Sequence, residues 1–321
     1  MMDKSAYLQV TRKCNNACIF CSNPAVNVDY TLEEAQNQVC KLISDGIETI
    51  MLTGGEPTEC GFLQEIVRYI AEKGLRPILI TNGVNLNDKI LCRQLYDAGI
   101  RVIHLSLHSH SARVADKLSQ REGHWKRQIV AIQNLLGAGF ELKINSTINS
   151  MNCKKLHLLA NFIIRRFPSI RHFVFNALDP GNPDGSIRSR AGENQYIVPR
   201  LVDMEYSLNR TCELLLSEGR TFRVERVPLC YMSRFADFST ETRKIVKNEM
   251  YYCSFIEEDK RNRIRKVSPS FFRYHPGTCR YCSMRNICAG IQKEYVKIYG
   301  DMEVYPLFDD PEETIRRIKN E

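Results

Sequence analysis

The sequence predicts an α/β fold on a parallel sheet, closed as a barrel or doubly wound. Short runs rich in Ile, Val and Leu recur along the first half of the chain. Each is followed by a Gly- or Asn-bearing turn and an amphipathic helical stretch, the pattern of strands covered by helices. Six such units in series favour right-handed parallel crossovers. They share a pattern but little identity, so they are not a solenoid repeat.

The predicted strands are 6–10, 49–52, 77–81, 102–107, 142–147 and 172–176. Between them, Thr31 with Glu34 forms a capping box and Gly46 ends that helix. The second helix spans 62–73 and closes at Gly74. Asn87 is placed to cap a helix that stops before Gly99, and Asn152 one that ends near Pro168. A further helical region runs through 111–138. The stretch 179–192, with two Pro and three Gly, reads as a loop and a domain boundary. A helix over 199–217 and a strand over 221–227 follow. Beyond Pro228 the periodicity weakens into a basic, aromatic, cysteine-bearing tail.

Composition narrows the class. The 321 residues suggest about two domains of ~150 residues. Contents of 43% hydrophobic and 26% charged residues exclude a disordered chain, a collagen-like fibre and a coiled coil. No run approaches the ~18 apolar residues of a membrane span. Met1–Val10 carries Asp3 and Lys4 and lacks the long apolar run of a secretory signal, so the cytoplasm is the expected compartment and no membrane partner is expected. A net charge of +8 permits an acidic partner or a nucleic acid and identifies neither.

Cysteine is the outlier, with 13 residues. In a reducing compartment, clustered cysteines read as metal or redox ligands rather than disulfides. Cys14-Asn-Asn-Ala-Cys18-Ile-Phe-Cys21 follows the first strand directly. Three thiolates in one loop can hold three irons of a 4Fe–4S cluster and leave the fourth iron open. The competing zinc knuckle wants a fourth Cys or His at short spacing, and this loop has none.

In this Cys-x3-Cys-x2-Cys run the sequence resembles the radical SAM enzymes. Phe20 holds the aromatic position before the third cysteine, which in that family packs near the adenine. Gly54-Gly55-Glu56-Pro57 after the second strand matches the family's glycine-rich segment, which receives the methionine amino group of S-adenosylmethionine. Glycine permits close backbone approach and an acidic residue suits an ammonium. The resemblance extends to Asn82, Ser106, His108 and Asn145, at or near strand ends that contact the ribose and methionine parts of the cofactor in the family. Alone, each reads equally well as a turn, a satisfied hydroxyl, a capping amide or a structural histidine. Their placement supports the resemblance, because loops at the C-terminal ends of parallel barrel strands converge on one mouth.

A second cluster, Cys279-Arg-Tyr-Cys282-Ser-Met-Arg-Asn-Ile-Cys288, matches the cysteine core of SPASM and twitch extensions that carry an auxiliary 4Fe–4S cluster. Gln292 stands where the full SPASM pattern has another cysteine, which implies one auxiliary cluster rather than two. A fully ligated cluster needs a fourth thiolate. Cys230, in a Pro-Leu-Cys element after a strand, is favoured; Cys253, in a helical-looking Tyr-Tyr-Cys context, competes. A zinc ribbon is the structural alternative, disfavoured by the x5 spacing. Cys40, Cys60, Cys92, Cys153 and Cys212 read as small hydrophobes.

The resemblance implies a partial (β/α)6 TIM-like barrel over residues 1–200 with a small cysteine-rich extension over 201–321. It implies two 4Fe–4S clusters, one catalytic and one auxiliary, with S-adenosylmethionine as cosubstrate. The activity would be hydrogen abstraction from a substrate C–H bond, with a flavodoxin- or ferredoxin-type electron donor. Family members modify ribosomally made peptides or small molecules such as sugars, and a peptide is preferred here. The different-class alternative is a zinc-stabilised nucleic-acid-binding protein. The run Lys260-Arg261-Asn262-Arg263-Ile264-Arg265-Lys266 carries five cations in seven residues. It reads first as a solvated loop and second as a site for phosphate or an acidic peptide.

Overall fold

The computed structural model describes residues 4–26, 28–181, 189–256, 262–271 and 273–320. In chain order its elements are β1 (Ser5–Thr11), α1 (Leu32–Ser44), β2 (Thr49–Gly54), α2 (Leu63–Glu72), β3 (Arg76–Thr81), α3 (Lys89–Ala98), β4 (Val102–Ser106), α4 (Ala112–Ser119) and α5 (His124–Gly137). Then come β5 (Glu141–Ile148), α6 (Leu156–Arg166), β6 (His172–Ala177), α7 (Arg190–Glu193), α8 (Leu201–Ser217), β7 (Thr221–Glu225) and α9 (Thr240–Val246). The C-terminal part adds β8 (Tyr251–Ile256), β9 (Asn262–Val267), β10 (Arg273–Tyr274), β11 (Ile291–Gln292), α10 (Lys293–Tyr299) and α11 (Pro311–Lys319).

Nine strands form one sheet in the order β7-β6-β5-β4-β3-β2-β1-β8-β9. From β1 to β7 each strand lies parallel to its chain neighbour. This winding never reverses, so there is no topological switch point and the doubly wound alternative is excluded. The order ends at β7 and β9, which leaves a partial, open barrel. The six strands expected from sequence are all present. Thr221–Glu225 is a seventh parallel member, paired with β6, and β8 extends the sheet in parallel on the far side of β1.

The local signals mostly hold. Thr31 accepts from the Glu34 amide while Glu34 accepts from the Thr31 amide, closing the capping box. Two caps differ. Asp88, not Asn87, caps α3 by accepting from the Ile90 amide. Asn152 caps nothing; its side chain accepts from the Asn149 amide and donates to His108 O and Thr147 O, cross-linking two strand ends. The region 111–138 splits into α4 and α5 around Gln120 and Gly123, both at positive φ. No helix among the described residues is long and apolar enough to cross a membrane.

Strand alternation separates two faces. Leu8, Leu52, Leu79, Leu105, Ile144, Phe173 and Val224 are buried in the main core. Their alternates Tyr7, Met51, Ile80, His104, Asn145, Val174, Asn176 and Glu225 line a lumen cavity of about 250 Å³. The inner face is thus far more polar than the apolar runs suggested, because it encloses a cavity instead of a second layer of helices.

Two lumen histidines carry a pH consequence. Burial, reinforced by nearby Lys143, lowers His104 to about 4 and His172 to about 3, from 6.5. Both are neutral in the fold at neutral pH, whereas the unfolded chain protonates them first on acidification. Stability is therefore complete above about pH 6.5 and is lost as pH falls through that value toward the folded values. Each contributes about 1.4 kcal/mol per pH unit in that window. Urea midpoints should drop between about pH 7.5 and 5.5, and less so for His104→Asn. Equal slopes for variant and parent would contradict this.

Candidate active site

The Cys14–Cys21 loop leaves the C-terminal end of β1 and is pinned from four directions. The Gly55 amide donates to Thr11 O at 2.9 Å and the Glu56 amide to Lys13 O at 2.7 Å. Ala17 and Ile19 amides donate to Ser119 O and Leu118 O at the end of α4. Asn82, just past β3, donates to Asn15 Oδ1 at 2.8 Å. From α7, the Arg190 amide donates to Cys21 O at 2.9 Å. Arg121 also donates to Asn15 O. Backbone pairing from separate elements fixes where three thiols stand.

Those thiols are half-buried, and Cys14 and Cys21 are near enough to act on Cys18. Burial raises Cys14 to about 11 and pushes Cys18 and Cys21 up as well. For Cys18 the next causes are Cys21 and Cys14, and the opposing influences are a backbone hydrogen bond and then Arg190. Three thiolates crowded this way repel one another unless a cationic core sits among them, which is what a metal cluster supplies. The Asn16 amide donates to Cys14 Sγ at 3.4 Å, the kind of bond that tunes cluster sulfurs.

The two glycines make a backbone contact that the sequence did not announce. A Cβ on Gly54 would lie 2.1 Å from Thr11 O, and one on Gly55 would lie 2.0 Å from Lys13 O. Their immediate role is to let β2 close against the backbone leading into Cys14. Gly55→Ala should therefore cost stability by roughly 1–3 kcal/mol through overpacking. It should also displace Cys14 and reduce iron incorporation. Chemical denaturation and iron content check both; unchanged iron would refute the positional role.

Glu56 is 1% exposed. It accepts from Thr81 Oγ1 at 2.6 Å, the Asn82 amide at 2.7 Å, Thr58 Oγ1 at 2.7 Å and the Thr58 amide at 3.1 Å. Burial raises its pKa and these four bonds oppose the rise. The carboxylate thus ties the β2 end to the β3 end, and holds Asn82 where its amide reaches within 4.0 Å of Cys14 Sγ. Phe20 packs edge-on against His108, ring centroids 4.9 Å apart. His108 is neutral, lowered to about 3 by burial, and its Nδ1 accepts from the Thr147 amide. The Ser106 carbonyl accepts from Gln128 Nε2, which also donates to Asn82 O. Asn145 lies deeper, in the lumen wall, and accepts from Asn176.

The second group of thiols shares one cavity. Cys230, Cys279, Cys282 and Cys288 line it together with His275, Arg285 and Tyr305. After burial and a Tyr305 contact, the influences on Cys230 are Cys288 and Cys279. Gly290 and Leu307 amides donate to Cys288 Sγ and Cys282 Sγ, both at 3.4 Å. Cys253 stands elsewhere. It is in strand β8, not a helix, opposite Tyr7 of β1 and Arg265 of β9. Among the described residues no three His, Cys, Asp or Glu side chains converge tightly enough for a single metal ion. A 4Fe–4S core spreads its thiolates farther apart and fills the centre with its own sulfides.

Of the other cysteines, Cys60, Cys92, Cys153 and Cys212 are buried as expected, but Cys40 is exposed. It lies 3.2 Å from Tyr69 OH. Arg190, Arg121 and Gln128 escaped the sequence reading, since they act through backbone carbonyls and belong to no motif. So did Glu225, raised to about 7 by burial and by Glu241 nearby. It lines the lumen beside Asn176. The basic run is partly outside the described residues at 260 and 261; its remainder forms strand β9, not a loop. Residues 182–188 of the expected boundary loop also lie outside the described residues.

Comparison with known proteins agrees with this geometry. The family described as the radical SAM superfamily matches residues 8–151. An AdoMet-dependent heme synthase of Methanosarcina barkeri is 26% identical over 64% of this chain and 60% of its own length. A PqqA peptide cyclase of Methylocella silvestris is 31% identical over 46% of this chain and 40% of its own. The chain thus spans less than two thirds of these curated relatives. Among solved structures, native anSMEcpe with bound AdoMet and Cp18Cys peptide superposes with a TM-score of 0.66 at 13% identity, covering 99% of this chain and 96% of that one. The three-cysteine loop at the mouth of an unreversed parallel sheet falls inside the family match, so residues 8–151 carry a radical SAM superfamily domain.

Proposed function

We propose that this chain is a radical SAM enzyme that modifies a ribosomally made peptide. The observation that carries the reading is the backbone pairing of the Gly54–Glu56 turn with the strand leading into Cys14. It sets three thiols beside Asn82, Phe20 and His108 at one end of a hollow barrel. Cys14, Cys18 and Cys21 would hold the catalytic 4Fe–4S cluster, and Cys230, Cys279, Cys282 and Cys288 the auxiliary one. When bound, the first cluster and S-adenosylmethionine supply a 5′-deoxyadenosyl radical that abstracts hydrogen from substrate.

The chain's own residues do the positioning. Gly54 and Gly55 admit the close approach, Glu56 braces Asn82, and Phe20 on neutral His108 offers an apolar face for an adenine. Asn145, with the polar lumen, is placed toward the substrate side. We assign residues 1–200 to the barrel and 201–321 to the auxiliary region, which adds strands β7, β8 and β9 to the sheet. A peptide substrate is supported by the peptide named for one relative and the peptide bound in the similar structure. An external flavodoxin- or ferredoxin-type donor would supply the electron. Anaerobically reconstituted protein with S-adenosylmethionine and a reductant should release 5′-deoxyadenosine. A colourless, zinc-loaded preparation without that product would overturn the reading.

A further inference from the structure

Strand β9 is the one feature singled out in the sequence that the cofactor sites leave unused. It pairs antiparallel with β8 over Asn262–Val267 and ends the sheet order. The opposite edge, β7, is bridged by Ser239 at Val224. No further strand or bridge pairs with β9 among the described residues. A ladder ending this way is a template for one more extended chain.

The described part of this edge carries two adjacent cations, Arg265 and Lys266. Arg265 stands opposite Cys253 and Lys266 opposite Tyr252. Lys266 is exposed, with Nζ 5.5 Å from the Tyr252 ring centroid. Tyr251, one strand inward, lines the lumen cavity. A chain added to β9 would lie two strand spacings, ~10 Å, from that wall.

We propose that β9 receives an extended acidic peptide segment by strand addition, holding a substrate beside the open edge of the barrel. The proposal rests on the peptide reading above for its biological role. Main-chain ladder bonds would supply affinity, and Arg265 and Lys266 would favour Asp- and Glu-rich segments. The bland account of the same charges is that they keep a bare edge from pairing with itself. The two accounts differ in what charge reversal does. Arg265→Glu with Lys266→Glu still protects the edge, but it should repel an acidic peptide and attract a basic one.

The test is fluorescence anisotropy with a labelled peptide of about ten residues alternating Glu and Val, and its Lys counterpart. The Glu peptide should bind the parent chain at least about tenfold more tightly than the Lys peptide. The R265E/K266E variant, with a circular dichroism spectrum and urea midpoint matching the parent's, should invert that preference. N-methylating one alternate set of peptide amides should weaken binding about tenfold, and methylating the other set should not, since only one side of a strand faces the ladder. Equal tolerance of both sets would mean charge attraction without strand addition, and would overturn the proposal. So would absence of binding, an unchanged preference in the variant, or a concentration-dependent dimer that shields β9 from the peptide. Release of 5′-deoxyadenosine by the parent chain is read separately, so a failed cofactor reading and a failed docking edge are told apart.

Discussion

Cys14→Ala is expected to abolish release of 5′-deoxyadenosine, a loss on the order of 10³-fold or more, because the three loop thiolates work as one unit. With the two clusters proposed above, iron should fall from about eight to about four per chain. The fold should survive. The loop is held by Gly55 and Glu56 amides on Thr11 O and Lys13 O, and by Ala17, Ile19 and Arg190 amides, none of which uses the Cys14 side chain. The thiol's own bond, from the Asn16 amide at 3.4 Å, is a long one. Its loss removes about 1 kcal/mol at most. Circular dichroism and the urea midpoint should stay close to those of the parent while activity disappears. A variant that keeps releasing 5′-deoxyadenosine would show that the loop is not the catalytic ligand set.

Cys230→Ala should remove the proposed auxiliary cluster, again about four irons, and leave reductive cleavage of S-adenosylmethionine in place. Cys253→Ala should leave iron unchanged. The contrast follows from position. Cys230 shares a cavity with Cys279, Cys282 and Cys288. Cys253 is fixed in the sheet between β1 and β9. Replacing that buried thiol with a methyl group costs roughly 1 kcal/mol of packing. Iron and sulfide analysis of both variants decides the matter; equal iron loss would remove the distinction.

Much of the site was legible because its signals are local. The Cys14–Cys21 spacing needs no tertiary context, since three ligands within one loop are a chain-length property. The six strands were legible because apolar runs bounded by Gly and Asn turns repeat, and the Thr31–Glu34 box announces its helix directly. Asn152 misled because a capping side chain and a strand-crossing one look alike in sequence; only the nearness of His108 O and Thr147 O decides between them. Cys253 misled because Tyr-Tyr-Cys has no periodicity of its own, and pairing with Tyr7, more than 200 residues away, makes it a strand.

The sequence by itself determined the chemistry on offer: three clustered thiols after the first strand, a second cysteine core, and an α/β chain to carry them. The tertiary structure decided which distant groups meet. It brought Cys230 to Cys279, Cys282 and Cys288, turned Gly54 and Gly55 into a contact with Thr11 and Lys13, and made a polar lumen from alternate residues of successive strands. It also placed a cationic strand at the sheet's edge. The physical reason is that ligand type and spacing are written along the chain. Convergence depends on strand order and register, which are set by long-range pairing and packing that no short segment contains.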